Sequence, residues 1–238
     1  MQKNNNIIGI DIGGSKIRGI LWDGARTIKS RQYKTPETED VFVTTLKTLI
    51  KELAGNEIVS KIGVGTAGTV RGTTVVRARN ISYFKNFDFK KIFPETSLRV
   101  DNDAKTYALA EYQRGAGKGT RSVLVVTIGT GIGRAYGEQG KILNIERFGQ
   151  AETWEKEYQK IRGTDVDARL AKYLARKINP IIKRYGPEAV VFGGGVTERE
   201  GFFQKLNREL KSLGSKVNIQ KSKLGNNAGA IGAALLWD

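Results

Sequence analysis

Two apolar runs, far apart in the chain, each lead straight into a turn built from Gly and Ser or Thr. The first reads Ile10-Asp11-Ile12-Gly13-Gly14-Ser15 and the second Thr127-Ile128-Gly129-Thr130-Gly131. A second apolar run, Ile17 to Trp22, follows the first turn and predicts a hairpin wrapped around residues 11–16. A second hairpin is expected after Gly131-Ile132-Gly133, with its own turn near Glu138-Gln139-Gly140. This repetition points to internal duplication. Two α/β lobes are expected, each with one such turn, facing one another across a central cleft. Glycine lets the backbone approach a ligand closely, and successive N–H groups then form an anion nest. Ser15 and Thr130 add hydroxyl donors. Asp11 cannot bind phosphate directly, but it can hold Mg²⁺ or its waters. A single Gly-rich turn is usually only a turn; two at matching positions carry more weight.

The remaining pattern fills in both lobes. Phe42, Leu46, Leu49, Ile50 and Leu53 recur at helical spacing and predict a helix over residues 41–53. Ile62-Gly63-Val64-Gly65 reads as a buried strand running into Thr66-Ala67-Gly68, and Leu98-Arg99-Val100 as another leading to Asp101-Asn102-Asp103. A helix then runs to about Arg114 and stops at Gly115. Residues 115–120 read as a linker. They mimic a Walker A loop, but Tyr112 stands at the first Gly position and Gly119 follows Lys118 where Ser or Thr is required. Beyond the strand from Val123 to Ile128, Thr164 and Asp167 form a capping pair for a long helix. That helix carries Leu170, Leu174, Ile178 and Ile182 on one face; Pro180 should kink it and Gly186-Pro187 end it. Ala189 to Phe192 predicts a buried strand leading into Gly193-Gly194-Gly195. Phe202, Phe203, Leu206 and Leu210 mark a further helix, and residues 228–236 a short one of small residues. The expected domains are residues 1–114 with 226–238, and residues 115–225.

Composition removes several kinds of chemistry. The 238 residues include no Cys and no His, so disulfides, Cys- or His-bound zinc, Cys nucleophiles and His bases are all excluded. Acid–base work falls to Asp, Glu, Lys or Tyr. No apolar run approaches the roughly 20 residues of a membrane span, and the first residues lack a signal-peptide layout. A cytoplasmic chain with no membrane partner is expected. The net charge of +16 suits polyanions, either nucleotides and polyphosphate or nucleic acid, yet the basic residues are spread along the chain as on a solvated surface. Direct nucleic-acid binding is therefore the weaker expectation.

Asn102-Asp103 sits between a strand and a helix. Asp103 there is either a helix cap or a carboxylate at a strand's C-terminal end, where α/β sites gather. Without His, an Asp is the natural group to take a proton from a substrate hydroxyl.

The ordered series resembles the ROK family of sugar kinases and transcriptional repressors over nearly the whole chain. Asp11-Ile12-Gly13-Gly14-Ser15-Lys16 is similar to its first phosphate motif, and Gly63-Val64-Gly65-Thr66-Ala67-Gly68 to the loop that opens the sugar site. Ala78-Arg79-Asn80-Ile81 resembles a Pro-Asn-Leu segment, and Val100-Asp101-Asn102-Asp103-Ala104 the catalytic segment. Thr127-Ile128-Gly129-Thr130-Gly131-Ile132-Gly133 is similar to the second phosphate motif, Phe192-Gly193-Gly194-Gly195-Val196 to the adenosine motif, and Ala228-Gly229-Ala230-Ile231-Gly232-Ala233-Ala234 to the closing helix. The resemblance implies an α/β, two-lobed actin-like ATPase (ribonuclease H-like) fold. It implies an ATP- and Mg²⁺-dependent kinase acting on a hexose or hexose-like hydroxyl. Asp103 would be the catalytic base and Asp11 would orient Mg²⁺, chiefly through water. Gly13, Gly14, Ser15, Lys16, Gly129, Thr130 and Gly131 would cradle the ATP phosphates. Gly193, Gly194 and Gly195 would lie against the adenosine.

Sugar contacts implied by the resemblance are Gly65, Asn80, Asn102, Asp103, Glu152 and Glu155. The family's Glu-x-Gly-His motif and its Cys-rich zinc loop are missing. Glu152-Thr153-Trp154-Glu155 is the nearest fit, with Glu155 in the His slot and Glu157-Tyr158 following at once, so no zinc is expected. The same stretch also reads as an ordinary amphipathic helix, with Trp154 either stacking on a sugar or buried in the core. The first phosphate motif begins about ten residues in, leaving no room for the repressors' helix-turn-helix. A catalytically weak sugar or nucleotide sensor, and a kinase using polyphosphate as donor, are the alternatives. The sequence leaves a homodimer open.

Overall fold

The computed structural model describes residues 6–143, 151–163 and 167–238, with residues 151–153 described by backbone alone. In chain order the strands and α-helices are β1 (Ile7–Ile12), β2 (Lys16–Trp22), β3 (Thr27–Lys34), α1 (Glu39–Ala54), β4 (Lys61–Thr66), β5 (Thr69–Arg71), β6 (Thr74–Arg77), β7 (Lys85–Asp88), β8 (Ser97–Asn102) and α2 (Asp103–Gln113). There follow β9 (Ser122–Ile128), β10 (Ile132–Glu138), β11 (Lys141–Leu143), α3 (Ala151–Arg162), α4 (Asp167–Tyr185), β12 (Ala189–Gly193), α5 (Phe202–Ser212), β13 (Asn218–Lys221) and α6 (Ala228–Ala234). The chain divides into two compact units, Met1–Ala110 with Asn226–Asp238, and Glu111–Gly225.

The first unit is built on a sheet of order β3-β2-β1-β4-β8, in which β1, β4 and β8 run parallel and β2 and β3 antiparallel. β1 is an almost unbroken buried apolar run, as a parallel strand covered on both faces must be. α1 lays Phe42, Leu46, Leu49 and Leu53 against one face. Its acidic start, Glu39 and Asp40, suits the positive end of the helix dipole, and Gly55 at φ 58° ends it. α6 lies on the opposite face, and its small residues bring it onto the bare backbone of the sheet. A side-chain carbon on Gly9 would strike the Ala230 carbonyl, and one on Gly63 the Ala233 carbonyl. A second, three-stranded sheet, β5-β6-β7, packs Phe87 with Phe42, Phe84 and Phe89 in an aromatic cluster.

The second unit repeats the plan, with strand order β11-β10-β9-β12-β13 and β9, β12 and β13 parallel. Both expected hairpins are present, as β1–β2 and as β10–β11, the latter turning at Gln139-Gly140. Its core gathers Leu124, Val126, Ile128, Leu174, Ile178, Phe192, Phe202 and Leu206. α4 stays helical through Pro180, and Thr164 of the expected capping pair lies outside the described residues.

The segment 115–120 corrects the expectation of a linker: Gly115, Ala116 and Gly117 are buried. The cause is Glu111, whose side chain is fully buried one turn earlier. Its carboxylate accepts hydrogen bonds from the Ala116 N–H at 2.8 Å, the Ser222 hydroxyl at 2.5 Å and the Leu224 N–H at 2.9 Å. One carboxylate thus ties together the segments where the chain enters and leaves the second unit. Glu111→Ala would leave these donors buried without an acceptor, so a loss of about 3 kcal/mol is expected in urea denaturation.

Candidate active site

Three neighbouring parallel strands of the first unit end side by side, and most of the expected residues of that unit sit on those ends. The register aligns Asp11 with Gly65 and Asp101, and Ile12 with Thr66 and Asn102. Asp103 follows as the first residue of α2. Asn102 fixes this corner: its amide nitrogen donates to the Gly68 carbonyl at 3.1 Å, and its side-chain oxygen accepts from the Ala104 N–H at 3.0 Å. The Thr106 hydroxyl donates to the Asp103 carbonyl at 3.0 Å and packs against Gly65, where a side-chain carbon would collide with it.

The turn 13–16 closes through the Gly13 N–H on the Lys16 carbonyl at 2.9 Å. Thr35 clamps it from β3, donating its N–H to the Ser15 carbonyl at 3.1 Å and its hydroxyl to the Gly13 carbonyl at 2.7 Å. Gly14 has no space for a side chain, because a Cβ there would lie 2.7 Å from Cβ of Asn80. That approach brings the Asn80 loop onto the turn. The structure therefore gathers Asp11, Gly13, Gly14, Ser15, Lys16, Gly65, Asn80, Asn102 and Asp103 in one region of the first unit.

In the second unit the adjacent parallel strands β9 and β12 present the other two glycine motifs. Gly193 pairs with Thr127, and the Val196 N–H donates to the Ile128 carbonyl at 3.0 Å. Gly194 adopts φ 90° and sits so close that a Cβ would lie 2.6 Å from the Ile128 carbonyl oxygen. Gly129, Thr130 and Gly131 are thereby brought beside Gly193, Gly194 and Gly195. α3 flanks the same turn, with the Tyr158 hydroxyl donating to the Gly129 carbonyl at 2.5 Å and Arg162 Nη1 to the same oxygen at 2.9 Å. Glu155 lies 3.9 Å from Arg134 Nη2, and the Arg134 guanidinium stacks 5.0 Å from the Trp154 ring. Trp154 is 8% exposed and belongs to the core, which settles that alternative; the Glu152 side chain lies outside the described residues.

The two carboxylates of the first unit are electrostatically unusual. Crowding by protein pushes Asp11 up to about 7; the nearby Asp103 charge adds to this, and Arg18 opposes it. Asp103 is also raised, again chiefly by burial, against the lowering effect of hydrogen bonds from Ala104 and Asn102. Arg18 escaped the sequence reading, although strand alternation places it directly across from Asp11. It is held by Asn227 at 3.0 Å and Gln32 at 2.5 Å. Tyr158 and Arg162 escaped as well, since nothing local marks a helix's hydroxyl or guanidinium as facing a distant turn.

A hard oxygen donor in surplus negative charge fits Mg²⁺, which keeps several of its waters. Among the described residues no three His, Cys, Asp or Glu cluster to hold a metal; Asp11 is the residue that would hold the ion, through its waters.

Two units of this plan, each with a glycine turn at its parallel strand ends, define the actin-like ATPase fold. The match to a glucokinase from Streptomyces griseus, whose structure holds glucose and AMPPNP, supports that: TM-score 0.83 at 22% identity, covering 97% of this chain and 98% of that one. The inorganic polyphosphate/ATP-glucomannokinase of Arthrobacter sp. strain KM superposes with TM-score 0.82 at 26% identity, over 98% of both chains. A polyphosphate glucokinase of Mycobacterium leprae is 29% identical over 95% of this chain and 73% of its own length. The ROK family model matches residues 7–151 and 150–238, and the chain belongs to that family. Among the described residues no helix is long and apolar enough to cross a membrane.

The raised Asp11 has a consequence for stability. A carboxyl that keeps its proton better when folded stabilises the fold fully below its ordinary value of 3.8, and that contribution is lost as pH rises through about 7. Asp11→Asn removes this dependence. The stability difference between wild type and variant, followed by urea denaturation, should therefore shift against wild type from about pH 4 to about pH 7. Millimolar Mg²⁺ should recover the loss in wild type but not in the variant.

Proposed function

We propose that the chain is a sugar kinase that transfers the terminal phosphoryl group of ATP to a hexose hydroxyl, with Asp103 as the base. The observation that carries this reading is the Asp103 carboxylate at the strand ends beside Asn102, its pKa raised by burial so that it takes up a proton more readily than an ordinary carboxylate. The hydroxyl oxygen bonds to the γ-phosphorus as its proton passes to Asp103, and the bridging P–O bond breaks with its electron pair leaving on ADP. Asn80 and Asn102, gathered with Asp103, would hydrogen-bond sugar hydroxyls. The turn 129–131 would cradle phosphate and residues 193–195 would lie against adenosine. Mg²⁺, when bound, neutralises charge on the phosphates. Kinase relatives and the family's fold support the class of reaction; the hexose and its hydroxyl are the finer part of the proposal.

A second donor is favoured by one feature. Lys16 and Lys34 stand directly opposite each other on β2 and β3, both exposed, beside the first turn. Like charges so placed repel and destabilise a strand pair. A polyanion laid along them would relieve the repulsion, which favours inorganic polyphosphate as an alternative donor.

Asp103→Asn should lower kcat by about a thousandfold while hexose binding persists in calorimetry; a variant as active as wild type would remove Asp103 from the mechanism. Activity should also fall as pH drops through the raised Asp103 value, since the base must be unprotonated. For the donor, coupled assays with ATP and with polyphosphate are compared in wild type and Lys34→Gln. A polyphosphate KM raised severalfold with the ATP KM unchanged is expected. Equal KM values in both proteins would discard the lysine pair as a donor site.

A further inference from the structure

The second phosphate turn is held from behind by one helix. Three side chains of α3 donate to two consecutive carbonyls of that turn: Tyr158 and Arg162 to Gly129, at 2.5 Å and 2.9 Å, and Gln159 to Thr130. The three lie at positions i, i+1 and i+4, on one side of the helix. The helix is itself fixed at both ends. The Tyr173 hydroxyl donates to the Trp154 carbonyl at 2.8 Å near its start. Near its end Arg199 donates to the Arg162 carbonyl at 3.2 Å and bonds Asp167 at 3.0 Å.

The geometry of the peptide group turns this into a statement about the ligand side. A trans peptide is planar, and its N–H points opposite to its C=O. Carbonyls of Gly129 and Thr130 drawn toward α3 therefore send the N–H groups of Thr130 and Gly131 away from it. A carbonyl that accepts hydrogen bonds also polarises its own amide, so those N–H groups become stronger donors. Arg162 adds a fixed positive charge behind the turn without occupying it. Tyr158 is fully buried and its hydroxyl is pushed up to about 12, chiefly by burial, so it remains a proton donor at any working pH.

We infer that Tyr158, Gln159 and Arg162 are positioning residues for the phosphoryl donor: through the carbonyls of the turn 129–131 they orient and strengthen the backbone N–H groups that bind its phosphate. This rests on the proposed kinase reading, which places phosphate at the turn 129–131.

The test uses the full chain and the variants Tyr158→Phe, Arg162→Met and Arg162→Lys. Donor KM, sugar KM, kcat and Tm are measured, together with calorimetric binding of tripolyphosphate. Tyr158→Phe should raise the donor KM about fivefold and Arg162→Met about tenfold or more, with tripolyphosphate affinity weakened in step and the sugar KM within about twofold. Arg162→Lys, which keeps a cationic donor, should recover most of the loss. Donor KM and tripolyphosphate affinity that stay at wild-type values while Tm falls would mean that α3 only packs, and would overturn the inference. So would a wild type that fails to bind tripolyphosphate. A wild type that binds tripolyphosphate but phosphorylates no sugar would instead overturn the kinase reading, and the calorimetric series would still decide the role of α3.

Discussion

Asp11 and Asp103 are two carboxylates crowded together at the ends of neighbouring strands, and much of the first unit serves to keep them there. Parallel pairing of β1, β4 and β8 sets their separation along the sheet. Thr106 and Asn102 fix the start of α2, and α6 comes so near that a side-chain carbon on Gly229 would lie 2.5 Å from the carboxyl carbon of Asp11. Arg18, across the ladder from Asp11, partly offsets the negative charge. Burial and mutual repulsion favour a proton or a cation at the pair.

The fold was largely legible because its punctuation is chemical. Apolar runs ending in Gly-Gly or Gly-Thr-Gly mark the parallel strand ends, and the heptad-like spacing of Phe42, Leu46, Leu49 and Leu53 marks α1. The residues of the glycine turns and Asn102-Asp103 could be picked out for the same reason: each breaks a regular pattern. What escaped lacked such a signature. β3 reads Thr-Ile-Lys-Ser-Arg-Gln-Tyr-Lys and is largely solvated, so no apolar alternation announces it. β5, β6 and β7 are only three or four residues each. Residues 115–120 looked like a linker because Gly and Lys dominate. Only the structure shows the buried Glu111 that makes those glycines a packed turn. Arg18, Tyr158 and Arg162 act on partners distant in sequence or across a ladder, and no local pattern encodes that.

The region after the turn 129–131 is where the chain departs from the motifs that its other segments resemble. Without Cys or His, no zinc loop can shape it. α3 occupies that stretch of sequence and is anchored by organic contacts alone: Arg134 against Trp154 and Glu155, Tyr173 at its start, Arg199 near its end. A guanidinium is permanently charged, offers donors in a rigid plane and stacks on indole. Such a residue can orient a carboxylate and brace a helix without a metal.

The position of α6 has a consequence for how the protein is made. This helix is synthesised after the second unit, yet it lies on β1 and β4, which are made before that unit, and its carbonyls press on the bare backbone of Gly9 and Gly63. The sheet of the first unit is therefore uncovered on one face until α6, which follows the whole second unit in the chain, has been made. The second unit, continuous from Glu111 to Gly225, has all its strands by then. Biogenesis would proceed from the inside of the chain outward, with the middle segment able to fold before the unit that flanks it can be completed.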